Sequence, residues 1–183
     1  MDLVLCAGDL PLDYLDFIIS SLNKPLFFVF GNHYTDKMRH FKGAGGRNFP
    51  GCGAIHLDSK VRIEKNIIVA ALGGAMRSNR GENQYSEPEM FFKAVKLIPR
   101  LLWNRVFHGR FADILLTHAP PKGIHCKEEC RQGFKTFLLF MKFFKPRYLV
   151  HGYIHLYDLS GARCTQWEKT AVINAYSHFI IEI

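Results

Sequence analysis

The sequence predicts a mixed α/β fold, and three observations carry that prediction. Short apolar runs, each too short for a helix, stop abruptly at glycine or at a polar cluster. Between them lie stretches whose apolar residues recur with helical spacing. The first two runs are joined by one such stretch within about thirty residues, the spacing of a βαβ unit with parallel strands.

Residues Leu3–Ala7 form the first apolar run, ended by Gly8-Asp9, and read as a buried strand. Pro11 opens a helix with Leu12, Leu15, Ile18, Ile19 and Leu22 on one face. Asn23-Lys24-Pro25 breaks it, and Leu26–Phe30 is a second strand, ended by Gly31-Asn32-His33. The glycine-rich stretch Tyr34–Cys52 lacks apolar periodicity and reads as a loop. Val61–Ile63 and Ile67–Leu72 flank Glu64-Lys65-Asn66, a hairpin signature, and Ser78–Ser86 reads as a polar loop. Glu87–Phe107 is helical with a break at Pro99. Asp113–Thr117 is a strand ended by His118-Ala119-Pro120-Pro121. Gly133–Phe144 is a helix apolar nearly all round, and such a helix is buried or faces a partner. Tyr148–Val150 is a strand running into His151-Gly152-Tyr153-Ile154-His155, and Ala171–Asn174 with Phe179–Ile183 reads as a closing hairpin.

Composition sets the outer bounds. The chain has 183 residues, 48% hydrophobic and 22% charged, which suits one domain over 1–183 and excludes disordered and low-complexity classes. No apolar run approaches the roughly 20 residues of a membrane span, so no membrane partner is expected. Met1-Asp2-Leu3 carries no cationic leader, and the five cysteines are an odd number. Both observations fit a cytoplasmic chain with reduced thiols.

The polar clusters at Gly8-Asp9, Gly31-Asn32-His33, Thr117-His118 and Gly152-Tyr153-Ile154-His155 each follow an apolar run. They therefore fall at strand carboxyl ends, where open α/β sheets place their ligand sites. Carboxylate oxygen, amide oxygen and imidazole nitrogen suit borderline divalent metals such as Mn, Fe(II) or Zn. A single Gly-Asp after a strand is an ordinary turn; the ordered set is the signal.

That ordered set resembles the motifs of calcineurin-like metallophosphoesterases, and the resemblance runs through nearly the whole chain. Leu72-Gly73-Gly74, Asn83-Gln84-Tyr85, Thr117-His118-Ala119-Pro120-Pro121 and Gly133-Phe134 resemble a bacterial branch of small single-domain members. The resemblance implies a β-sandwich flanked by helices with one or two divalent ions at the strand ends. It implies Asp9 as bridging carboxylate, Asn32 and His118 as ligands of one ion, and His155 as a ligand of the other. It implies His33 as the hydrogen-bond or proton donor to a phosphate-ester substrate, attacked by metal-bound hydroxide.

The chain departs from the family pattern in three places. The family's opening Asp-x-His strand is not present before Gly8-Asp9. Tyr34 stands where the pattern has an acid that would orient His33, and Tyr153 replaces a ligand histidine. His151 is a candidate substitute, because 151, 153 and 155 alternate along an extended chain; the simpler reading is a strand-end histidine with no metal. The departures leave a second reading open, a non-catalytic module of the same fold whose exposed sheet edge invites a partner or a homo-oligomer.

Two further features have plain and functional readings. His125, Cys126 and Cys130 could form half a zinc site, but a loop with free thiols suffices, because such sites need four ligands. Arg131 in the same loop is a candidate substrate contact. Residues 90–112 and 130–157 contain no acid and hold ten of the 24 basic residues of a chain with net charge +8. They read as solvated helix faces or as a field drawing phosphorylated substrates, with nucleic acid the weaker expectation.

Overall fold

A computed structural model describes residues 1–33, 53–79, 81–125, 132–155 and 163–183. The expectations on Tyr34, on the loop 34–52, and on Cys126, Cys130 and Arg131 lie outside the described residues.

The chain opens with strand β1 (Val4–Cys6), helix α1 (Leu12–Leu22) and strand β2 (Leu26–Phe28), and β1 and β2 pair in parallel. Pro11 precedes α1 with a φ suited to a helix start, and Asn23 ends it in the left-handed conformation, its N–H bonded to the Ile19 carbonyl. Strand β3 (Ile55–His56) pairs with β2 and completes a three-stranded parallel sheet, β1-β2-β3.

Strands β4 (Lys60–Glu64) and β5 (Ile67–Leu72) form the expected hairpin, turned by Lys65 and Asn66 with φ of 45° and 65°. Short strands β6 (Ala75–Met76) and β7 (Gln84–Tyr85) pair in parallel, so Gln84 and Tyr85 leave the expected loop to form a ladder. The helical stretch divides into α2 (Glu87–Val95) and α3 (Ile98–His108). The break falls at Lys96-Leu97, ahead of Pro99, which sits in the first turn of α3, where its missing N–H removes no helical bond.

Strand β8 (Ile114–Thr117), helix α4 (Lys135–Phe144) and strand β9 (Tyr148–His151) follow, and then the hairpin β10 (Cys164–Trp167) and β11 (Thr170–Asn174). The closing hairpin thus lies one strand earlier than expected: Ala171–Asn174 pairs back onto 164–167, and 175–183 forms no strand. The physical reason is the tight turn at Glu168-Lys169, with Glu168 at φ 48°. The six-stranded sheet has the order β10-β11-β9-β8-β5-β4, parallel in its middle and antiparallel at both edges.

Alternation along β5 shows how the layers stack. Val69 and Ala71 join Phe27, Val29, Ile114, Leu116 and Val150 in the core between the two sheets. Ile68, Ala70 and Leu72 point the other way, into a core shared with Met90, Leu97, Leu101, Phe137 and Phe140 of α2–α4. Helix α1 covers the outer face of the small sheet through Leu15. The result is a central multi-strand β-sandwich flanked by helices, as the sequence predicted. Helix α4 is not apolar on a wholly buried cylinder: Phe137, Phe140 and Met141 are buried, whereas Leu139 and Phe143 face solvent. No helix among the described residues is long and apolar enough to cross a membrane.

Helix ends in the outer layer are tied by side chains. Glu89 accepts the Ser86 N–H (2.6 Å) and hydroxyl (2.8 Å) and pairs with Arg77. Those bonds, the Ser86 N–H first, pull its pKa down to about 2. Glu87 reaches across to α4 and accepts the N–H groups of Lys135 (3.0 Å) and Thr136 (2.6 Å), capping a helix start that lacks a cap of its own.

Candidate metal centre

The site is built where both sheets end. After β1 the chain turns through Gly8 (φ 98°) and Asp9 (φ 55°). A left-handed Asp is an uncommon conformation that short polar side chains tolerate best, and here it turns the carboxylate toward the end of β2. Asp9 Oδ1 accepts the backbone N–H of His33 at 3.0 Å. Asp9 Oδ2 lies 3.3 Å from His118 Nε2, which is also 3.2 Å from Asn32 Oδ1. His118 comes from the other sheet, at the end of β8. Its Nδ1 donates to the Ala7 carbonyl at 2.7 Å, since a carbonyl only accepts.

Glycine makes the approach possible. A Cβ on Gly31 would stand 2.0 Å from Asp9 Oδ1 and 2.6 Å from His118 Cε1. One on Gly8 would stand 2.4 Å from His118 Nδ1. Neither position has room for any other residue.

Four of the expected residues, Asp9, Asn32, His33 and His118, are therefore brought together, by backbone in the case of His33. The His155 ring stacks on Tyr176 at 5.0 Å between centroids, and His155 is exposed. Tyr153 lies against His118, at 5.0 Å between centroids, and its N–H donates to the His118 carbonyl. The alternation expected for 151, 153 and 155 does not hold, because β9 ends at His151 and the next residues leave the strand. His151 is wholly buried and pairs instead with His125, Nε2 to Nδ1 at 2.9 Å; His125 Nε2 is 2.9 Å from Thr165 Oγ1. This His-His-Thr chain was not legible in the sequence, because His125 reaches it from a left-handed loop position and Thr165 from an unexpected strand.

The donor set can be tested against a divalent ion. With Nδ1 committed as donor to Ala7, Nε2 of a neutral His118 presents a lone pair to two oxygens. Both oxygens lie 3.2–3.3 Å from Nε2, and electron-rich atoms that close repel unless a proton or a cation lies between them. Metal bonds of about 2.1 Å place neighbouring ligand atoms about 3.0–3.4 Å apart, so the separations fit such an ion. Burial pushes the Asp9 carboxyl upward, but the hydrogen bond and charge of His118, with the His33 N–H, outweigh it and hold the carboxyl below its ordinary range. That direction belongs to a protonated His118, whereas the lone pair offered to an ion belongs to the neutral ring; an ion on Nε2 would replace the proton and keep the carboxylate ionised. Among the described residues no group of three or more His, Cys, Asp or Glu side chains is gathered for an ion; the third donor here is the Asn32 amide oxygen.

Fold and site together define a mixed α/β protein, a central multi-stranded sheet flanked by helices with polar donors gathered at its strand ends. No protein-family model matches the chain, and no curated protein matches it. Among solved structures it is similar to the crystal structure of TT1561 of Thermus thermophilus, with TM-score 0.57 and 15% identity over 96% of this chain and 76% of that one. A second crystal structure matches with TM-score 0.53 and 18% identity over 90% of this chain. The chain spans 63% of the length of that second structure. Likeness at these identities is a distant relationship of fold.

Proposed function

We propose that the chain is a metal-dependent phosphoesterase acting on a phosphomono- or diester, with a single divalent ion of the Mn, Fe or Zn class held by Asp9, Asn32 and His118. The observation that carries this reading is that Asp9 Oδ2 and Asn32 Oδ1 each lie within 3.3 Å of His118 Nε2, while His118 Nδ1 is fixed on Ala7. A divalent ion there supplies Lewis acidity toward a phosphoryl oxygen and lowers the pKa of a water.

The chain's own residues do the rest. Ala7 holds the His118 ring in the tautomer that leaves Nε2 free for the ion. The His33 N–H fixes one Asp9 oxygen and so orients the other. The His33 side chain, exposed beside this group, donates a hydrogen bond or proton to the phosphoryl or leaving oxygen. The surplus of cations draws the anionic ester toward the domain.

A second reading, a non-catalytic module of the same fold, is favoured by His155 stacking on Tyr176 and by Tyr153 standing where a ligand histidine is expected. One experiment separates the two. Purified protein is reconstituted with Mn, Fe(II) or Zn, its metal content measured, and aryl phosphate and bis-aryl phosphate offered. The enzyme reading requires about one ion per chain and metal-dependent hydrolysis, with both lost in Asp9→Asn and only hydrolysis lost in His33→Ala. Uptake without hydrolysis of either ester supports the module, and no uptake overturns the metal assignment.

A further inference from the structure

The helices over the six-stranded sheet present a second surface that this chemistry does not use. Of the 16 exposed large hydrophobic residues described, nine lie on α2, α3 and α4. On α3, Trp103 and Phe107 stack at 4.3 Å between ring centroids, and Val106 beside them is 77% exposed. Phe92 of α2 is 65% exposed, and Phe143 of α4 is 66% exposed. The three helices form one layer: Glu87 ties α2 to α4, Phe111 behind α3 meets Phe144 of α4, and all three bury their other faces in the same core. On α3 itself Leu102, Trp103, Val106 and Phe107 are exposed at helix-adjacent positions, and exposed apolar surface of this kind marks an interaction site.

Charge limits what can cover it. Lys96, Arg100, Lys142 and Lys145 are exposed on or at the ends of these helices and form no ion pair among the described residues. The acids carried by these helices, Glu87 and Glu89, are already engaged by α4 and by Arg77. A second copy would set cations against cations in a chain of net charge +8. Stacked bases want flat rings, whereas here Leu102 and Val106 interleave with the aromatics as i,i+4 ridges. Such ridges and the grooves between them accept another helix.

We propose that the α2–α4 face docks an acidic amphipathic helix of another protein, its apolar seam on Trp103, Val106 and Phe107 and its carboxylates against Lys96, Arg100 and Lys142. The test uses the whole chain with Trp167→Phe, so that Trp103 is the single tryptophan reporter. The probes are synthetic helical peptides sharing one Leu/Phe seam and differing only in Glu or Lys flanks. The Glu-flanked peptides shift Trp103 emission to the blue with 1:1 stoichiometry, bind roughly tenfold or more tightly than their Lys counterparts, and weaken with salt. Val106→Glu, at an exposed position that leaves the circular dichroism unchanged, removes the binding. Equal binding of both peptide classes, or of neither, overturns the proposal. So does a dimer in sedimentation velocity that Val106→Glu dissociates, which assigns the face to a second copy. Binding to phosphatidylglycerol vesicles or single-stranded DNA in place of the Glu peptides overturns it in favour of those ligands.

Discussion

His118 and His151 sit at the carboxyl ends of neighbouring parallel strands, and both are fully buried, yet their surroundings are opposite. His118 meets a carboxylate, an amide oxygen and a backbone carbonyl. His151 meets another histidine, and its buried Nδ1 has no hydrogen-bond partner among the described residues. Burial, the His125 ring and the charge of His118 push the His151 pKa well below the ordinary histidine range. The difference teaches that burial alone does not decide what a histidine can do; the atoms it faces do. One position welcomes positive charge and the other rejects it.

Four experiments break or sharpen that contrast. The largest effect is expected from His118→Ala, which leaves a cavity and strips Asp9 of its charge partner; urea unfolding at neutral pH reads a loss of about 3 kcal/mol. A loss no larger than that of His151→Phe erases the distinction. Gly31→Ala follows, because its Cβ has to displace Asp9 and His118; about 1–3 kcal/mol is expected, with loss of metal uptake.

The third experiment is a pH series. The folded pKa of His151 is depressed, so below the unfolded value of about 6.5 the unfolded chain binds a proton that the folded chain refuses. Stability is full above that pH and falls as pH drops, by up to about 1.4 kcal/mol per unit from this group. Comparison of urea midpoints from neutral to mildly acid pH shows a flatter profile in His151→Phe; an unchanged slope removes His151 from the account. The smallest effect lies away from both histidines. Glu87→Ala uncaps α4 and costs about 1 kcal/mol, read as faster amide exchange at Lys135 and Thr136.

Most of the framework was legible because its strands are short, apolar and punctuated, as at Leu3–Ala7 followed by Gly8-Asp9. The β4–β5 hairpin was legible from Lys65-Asn66, which take the left-handed conformation that a tight turn requires. What escaped depended on contacts distant in sequence. Cys164–Trp167 carries little apolar pattern, with Cys164 and Gln166 exposed, and becomes a strand by pairing with β11. Glu87 caps a helix 48 residues away, which no local cap signal announces. In the site, Asp9, Asn32 and His118 were legible as donors at strand ends. The divergence of His151, Tyr153 and His155 was not, because it depends on where β9 stops.

The His118–Ala7 bond joins residues 111 apart in sequence and belonging to different sheets. The donors Asp9 and Asn32 come with the small sheet and His118 with the large one, so the proposed metal centre needs both sheets to be assembled. Contacts of such long sequence separation form late in folding. Capacity to hold an ion is then a reporter of sandwich closure, appearing after helix and strand signals have already recovered. By linkage, an ion held as proposed would in turn resist separation of the two sheets, and a chelator would loosen the sandwich at that seam.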